Sequence, residues 1–405
     1  MIGVMRPRCT GILAVLVLSG LLGAGCDSAA EPEEVMPRVG RGATVSVTLL
    51  AHKTTAAIDA EFGALGIPIT ARYAVAVYKV VYETVDADGV GTIASGALLV
   101  PEAAPGRRPL VSYQHGTLVA RNEAPSAGGA EQAIGLAFAT DGYVAALPDL
   151  LGLGDSPGLH PYLHAETSAD AVVDMLRATQ DFTVLSGPDL SGQLFLVGYS
   201  QGGYTAMAAH RAIEAAYRGE FQVTAAAPMA GPYDLSGVMV TVFIDREPHP
   251  APYYLPYALL AYNDVYRLYE TPAAFLAPPY DTLLPPLFDG RHSGGEIDAV
   301  MPEIPLQIIA PAFLEAFETD AGHPLRQRLR ENDVYDWTPE APVRLYHCGG
   351  DRFVAPENTQ VAYQRFLERG AASVLLIDPL PAADHGACAA PSLLLAKLWF
   401  DSMVE

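Results

Sequence analysis

Basic side chains and cysteine are scarce in this chain. Lys and Arg number 24 against 46 Asp and Glu, a formal net charge of −22. That deficit argues against nucleic acid and anionic surfaces as partners. Charged residues of either sign make up only 17% of the chain and hydrophobic ones 50%, so a large buried core can form. Internal repeats are lacking, as is any low-complexity tract beyond a polar stretch near the N-terminus, so a repeat architecture is excluded. The length suits one domain with a sizeable insertion better than two equal domains.

The N-terminus decides how the four cysteines are read. Arg6 and Arg8 form a basic start, Thr10 to Gly25 is apolar and rich in small residues, and a polar stretch begins at Asp27. This is the pattern of a secretory signal, too short for a membrane span. Cys26 follows Gly23-Ala24-Gly25, which resembles the site where bacterial lipoproteins are cut and lipidated, with Gly23 standing where Leu is more usual. An ordinary cleaved signal is the alternative. Loss of residues 1–25 removes Arg6 and Arg8 and takes the charge from −22 to −24. The product is expected to be exported, either secreted or held at the bacterial cell envelope by a lipid on Cys26, its one membrane contact. Cys9 leaves with the signal, so Cys348 and Cys388 are left to form one disulfide in an oxidising compartment, or to stay as two buried thiols.

Residues 26–43 read as a polar tether and 44–231 as the first part of a folded core. Alternation in Thr44 to Ala51, Tyr73 to Thr84 and Thr92 to Val100 predicts half-exposed antiparallel strands. From Pro109 the pattern changes to short apolar runs: Leu110 to Tyr113, Tyr143 to Leu147, Gln193 to Val197 and Val223 to Pro228. Helical stretches separate them at Glu131 to Thr140, Glu166 to Leu185 and Gln201 to Arg218, which predicts βαβ winding and a mostly parallel central sheet flanked by helices. The alternation stops after Gly231. Residues 232–339 are rich in Pro and Tyr, too long for a bare loop, and read as a mostly helical cap inserted after the sixth strand. Its helical pieces fall at Tyr257 to Tyr269 and Ala312 to Glu318. Core order resumes over 340–405 with a strand at Val343 to His347, a helix from Glu357 to Arg369, a strand from Ser373 to Ile377 and a last helix from Ser392 to Met403.

Gly198-Tyr199-Ser200-Gln201-Gly202 follows an apolar strand and precedes a helix. A strand, a Gly-x-Ser-x-Gly turn and a helix make the nucleophile elbow of the α/β-hydrolase fold. The sharp turn strains the serine backbone, and glycines flank it where a Cβ would clash. A serine hydroxyl also needs a base and a carboxylate to orient that base, in the chain order Ser, acid, His. His385, expected in a turn after the last strand, is the candidate base. Asp351, in the glycine-flanked turn after the strand ending at His347, is the candidate acid, with Asp384 and Asp378 as alternatives. Two main-chain donors are expected to receive the oxyanion: the N–H of Gln201 and the N–H of Thr117, in the loop Gln114-His115-Gly116-Thr117. His115 reads as a brace for that loop. His160 and His164 have the i, i+4 spacing of metal ligands, but Gly158 and Pro161 oppose a helix and no third ligand is apparent, so no metal is expected. The glycine-rich run Pro148 to Ser156 lacks the Lys of a phosphate loop, and Asp149 within it reads as structural.

Taken together, the elbow, the His-Gly-Thr loop, the Pro148 to Ser156 turn, Asp351 and His385 resemble the secretory lipase family, which is similar to Candida antarctica lipase A and includes many exported bacterial α/β-hydrolases. The match runs from about Tyr73 to the end. The resemblance implies a cofactor-free esterase or lipase acting on a small-molecule ester or lipid, with Ser200, Asp351 and His385 in the triad positions and a cap over the acyl pocket. Tyr253, Tyr254, Phe275 and Phe288 are the candidate acyl-binding residues of that cap. Two other functions stay open. A serine aminopeptidase on the same fold would need carboxylates in the cap, for which Glu247, Asp264 or Glu270 could serve. A surface-anchored binding protein would carry a degenerate hydrolase body. Oligomeric state is not legible.

Overall fold

The computed structural model describes residues 38–405. The expected signal segment, Cys9 and the lipidation candidate Cys26 lie outside the described residues, as does most of the expected tether. Nine strands form one sheet: β1 (Thr44–Lys53), β2 (Val75–Val85), β3 (Gly91–Pro101), β4 (Arg108–Gln114), β5 (Val144–Pro148), β6 (Leu190–Tyr199), β7 (Val223–Met229), β8 (Val343–Tyr346) and β9 (Val374–Ile377). Their order is β1-β2-β3-β5-β4-β6-β7-β8-β9. The pairs from β1 to β5 are antiparallel and those from β5 through β9 parallel. β4 and β5 are buried along their whole length, as strands covered on both faces must be. β1 is the edge strand, and Thr44 to Leu50 are exposed, not half-buried as the alternation had suggested.

The helices in chain order are α1 (Thr55–Leu65), α2 (Gly129–Ala139), α3 (Ala165–Ser186), α4 (Gln201–Ala216), α5 (Val240–Ile244), α6 (Tyr254–Tyr266), α7 (Tyr280–Leu283), α8 (Gly294–Asp298), α9 (Pro311–Thr319), α10 (Pro324–Glu331), α11 (Glu357–Glu368) and α12 (His385–Asp401). α1 escaped the sequence reading, because its Ala-rich run shows only Ile58 and Phe62 as a buried stripe. Thr54 caps it and Gly66, in the left-handed region, ends it. Strand residues alternate between two cores. Leu98, Leu194 and Leu196 join α3, α4 and the α5–α10 segment on one face, while Leu99, Phe195 and Val197 join α1, α2 and α12 on the other.

Three boundaries differ from expectation. The helical insertion, α5 to α10, follows the seventh strand and not the sixth: the strand expected at Thr44 to Ala51 forms β1 and counts among those before it. α12 starts at His385 and not at Ser392, since the helix continues through Pro391. Residues 38–43 are docked and not a free tether. Arg41 reaches Asp170 at 2.6 Å and Asp174 at 3.0 Å, Arg38 reaches Asp181 at 3.3 Å, and the Gly42 N–H donates to Glu83 O. The insertion also has no core of its own, since Met239, Tyr257 and Phe317 pack in one cluster with Leu196 and Tyr204.

Asp174 is the hub of this N-terminal docking. Buried on α3, it accepts from Thr84 Oγ1 at 2.8 Å, Arg41 Nε at 3.0 Å and Arg177 Nη1 at 2.8 Å. Asp174→Ala removes the buried acceptor that Thr84, Arg41 and Arg177 share, while Asp170 and Glu220 still hold the two guanidiniums, and should cost about 1–3 kcal/mol in urea denaturation. A loss within experimental error of zero would mean that the network contributes nothing.

Candidate active site

β6 delivers Ser200 to the junction with α4 at φ 61°, ψ −124°, a conformation L residues rarely adopt. Packing beneath the turn explains why its neighbours are glycine. A Cβ on Gly202 would stand 1.9 Å from Gln114 O, and one on Gly198 would stand 2.3 Å from Gly202 O. The Ser200 N–H donates to Met229 O at 2.9 Å, which ties the elbow to the end of β7. The serine is thus held by the loop ends of three neighbouring strands.

His385 is the first residue of α12, not a turn residue. Asp384 caps that helix by accepting from the Ala387 N–H at 2.8 Å, and so is committed elsewhere. Asp378 accepts from the main chain of Gly349 and Leu380. Asp351 is the carboxylate that meets the imidazole, with Oδ2 2.5 Å from His385 Nδ1. Its Oδ1 accepts from the N–H groups of Phe353 and Val354 at 2.9 and 3.0 Å, and Oδ2 also meets His347 Nε2 at 3.1 Å. Burial pushes the Asp351 carboxyl up, but the bonds and charges of His347 and His385 outweigh it and hold the group well below the usual carboxylate range. Phe353 stacks on the His385 ring at 5.2 Å, and the Tyr199 hydroxyl donates to His385 O at 2.6 Å. Cys348 and Cys388 are bridged, joining the loop that carries Asp351 to the helix that begins with His385. No hydrogen bond joins Ser200 Oγ to the imidazole in this structure, a common state for hydrolase sites without substrate.

The Gln201 N–H lies at the start of α4, where no intrahelical acceptor exists. Among the described residues, no acceptor is found for the Thr117 N–H. His115 is fully buried between Gly116 O (2.7 Å) and Asp149 O (3.0 Å), bracing the loop against the turn after β5. Asp149 in turn accepts from Ser95 Oγ and the Ser126 N–H. His160 Nδ1 meets Leu151 O at 2.7 Å and its Nε2 meets Gln201 Nε2 at 2.6 Å, while His164 caps α3. No cluster fit to hold a metal is found among the described residues.

Ser200 and Gln201 line an apolar cavity whose other walls are Tyr162, Leu163 and the inserted helices, including Met239, Phe243, Tyr254, Leu259, Phe313 and Phe317. Of the four candidate acyl-binding residues only Tyr254 lines it. Tyr253 packs edge-on against Tyr254, Phe288 lies against Tyr257, and Phe275 against Tyr269 and Phe313, all three buried in the core instead. Composition marked the segment as aromatic but carried no signal for which rings face the cavity. His347 was also missed, because it follows a strand and nothing in its local sequence shows that it faces Asp351. Glu247, Asp264 and Glu270 are exposed and none lines this cavity.

Both histidines of the His160/His164 pair titrate low. Burial holds His160 at about 3 and His164 at about 4, against 6.5 ordinarily. The unfolded chain takes up these protons near pH 6.5 while the folded chain refuses them. Stability is therefore full above that pH and falls as the pH drops toward 4 and 3, by about 2 kcal/mol per histidine at pH 5. Urea midpoints at pH 7.5 and 5 should show a smaller acid loss for His160→Asn than for the wild type. An equal loss would contradict the assignment.

No family model matches the chain, and neither does any curated protein sequence. Solved structures do match. A hydrolase of Legionella pneumophila is 32% identical, with a TM-score of 0.82 over 89% of this chain and 97% of that one. The rice cell wall degrading esterase LipA of Xanthomonas oryzae, in a ligand-bound form, is 31% identical, with a TM-score of 0.78 over 90% of this chain and 98% of its own. Candida antarctica lipase A in its closed state, at 17% identity and a TM-score of 0.65 over 90% of this chain and 84% of that one, agrees in fold. With the Legionella and Xanthomonas proteins matched over nearly their whole length, the chain belongs to the lipase and esterase family of α/β-hydrolases.

Proposed function

We propose that this chain is an exported serine hydrolase that cleaves carboxylic esters through Ser200, His385 and Asp351. The observation that carries the reading is the 2.5 Å contact between His385 and a buried Asp351, with His385 packed on Tyr199, the residue before a serine in a strained elbow. Ser200 Oγ attacks the ester carbonyl while His385 Nε2 takes its proton. Asp351, on Nδ1, fixes the tautomer and stabilises the imidazolium. The oxyanion is received by the N–H groups of Gln201, at the positive end of α4, and Thr117. His385 returns the proton to the leaving alcohol, and water then cleaves the acyl-enzyme with the same imidazole as base.

The cavity beside Ser200 suits an acyl chain, since its lining is almost wholly apolar. It also disfavours a peptidase. An aminopeptidase needs a carboxylate for the substrate amine, and Glu247, Asp264 and Glu270 stand outside the lining. A binding protein with a degenerate body would have no use for a strained serine beside a shared buried carboxylate. Export rests on the N-terminal pattern, with Cys26 as the lipid site, and agrees with the cell-wall substrate of the Xanthomonas relative.

A p-nitrophenyl ester panel of graded acyl length tests the reading. The wild type should turn over esters faster than aminoacyl anilides. Ser200→Ala should lower kcat by about 10⁴-fold or more, and Asp351→Asn by about 10³- to 10⁴-fold. Full ester turnover by Ser200→Ala, or a preference for anilides, would refute it.

A further inference from the structure

We propose that His347 is a positioning residue for the triad, a second imidazole that pins the carboxylate of Asp351; this rests on Asp351 being the acid. His347 directly follows β8, is 3% exposed, and its N–H donates to Ile377 O at the end of β9. Its Nε2 lies 3.1 Å from Asp351 Oδ2 and 3.0 Å from Val354 O, and its Nδ1 lies 2.5 Å from Thr359 Oγ1 on α11. Nε2 faces a carboxylate and a carbonyl, both pure acceptors, so the partners assign the hydrogen to Nε2. Nδ1 then accepts from the Thr359 hydroxyl.

Asp351 consequently receives four donors: two main-chain N–H groups on Oδ1 and two imidazole N–H groups on Oδ2. That is about the full acceptor capacity of a carboxylate. The group can neither rotate nor rise toward a neutral form without breaking one of these bonds. His347 therefore does two things. It fixes where Oδ2 stands under His385 Nδ1, and it draws off part of the charge that Oδ2 presents to the imidazole. The other ionisable groups facing Asp351 and His385 are Tyr199, Tyr254, Asp384 and His249. Of the four, Asp384 is engaged as a helix cap, Tyr199 donates to a carbonyl, His249 contacts Phe353 O, and Tyr254 lines the cavity.

A residue that only braced the loop through Val354 O would affect folding and nothing else, so the test reads the chemistry. In the full chain, His347→Phe removes the donor and keeps the ring. Its kcat should fall about 10- to 100-fold with KM little changed, the equivalent of one hydrogen bond to a charged group. The acidic limb of its kcat/KM profile should move to higher pH, because Oδ2 relieved of one donor holds the imidazolium more strongly. His347→Gln, whose amide can still donate, should recover most of the loss. Thr359→Val, which removes the hydroxyl that anchors Nδ1 and so loosens the ring while Nε2 still donates to Asp351, should move the limb the same way by less, and it decides the matter if His347→Phe does not fold. Folded His347→Phe or Thr359→Val with wild-type kcat and an unmoved limb would overturn the proposal. Full activity in Asp351→Asn would instead remove the triad reading, and this proposal with it.

Discussion

Two segments distant in the chain have to meet at one oxygen, Asp351 Oδ2, and the rest of the site is arranged around keeping that oxygen charged while buried. Burial alone would neutralise a carboxyl there. The four donors reverse this, and they come from three places in the fold: His347 directly follows β8, the turn beyond it supplies two N–H groups, and α12 supplies His385. The Cys348–Cys388 bridge links the same two segments covalently. Even Asp384, adjacent to the histidine, serves this arrangement by capping the helix on which His385 sits.

The serine side rests on a separate constraint, close main-chain packing. The elbow lies against the loop after β4, so the glycines beside Ser200 are required by contact distances shorter than any side chain tolerates. That same loop carries His115 and Thr117, so the Thr117 N–H proposed for the oxyanion is tied to the elbow by close main-chain packing. Over this scaffold the inserted helices share a single core with the sheet's α4 face. The cavity wall is therefore part of the fold's own hydrophobic interior, and its shape follows from how α5, α6, α9 and α10 surround it. A pocket of this kind is set by many buried apolar contacts and by few polar ones.

What could be read beforehand follows from which physical demands leave local marks. Apolar, β-branched runs revealed β2 and β3 as strands, but not as half-exposed ones: each face of the sheet has its own core, so Ala94 to Pro101 are buried throughout. The flanking glycines revealed Ser200 because steric exclusion is local in sequence. Asp351 and His385 were legible through chain order and turn context. The start of α12 was not, since Pro391 breaks the usual pattern of a helix interior and drew the boundary past it. α1 carried too narrow a stripe to stand out. The cavity was illegible for a different reason: Phe275 and Phe313 are chemically alike, and only three-dimensional packing puts the second in the wall and the first behind it. His347 stood in plain view as a strand residue, but a histidine's partners are not written in its neighbours.

The most direct test of the central claim is chemical. A fluorophosphonate should phosphonylate the wild-type protein at one site, found by peptide mass mapping on the tryptic fragment containing Ser200. The rate should collapse in His385→Ala and the label should be absent from Ser200→Ala. Labelling at another residue, or at an undiminished rate without the imidazole, would contradict the account.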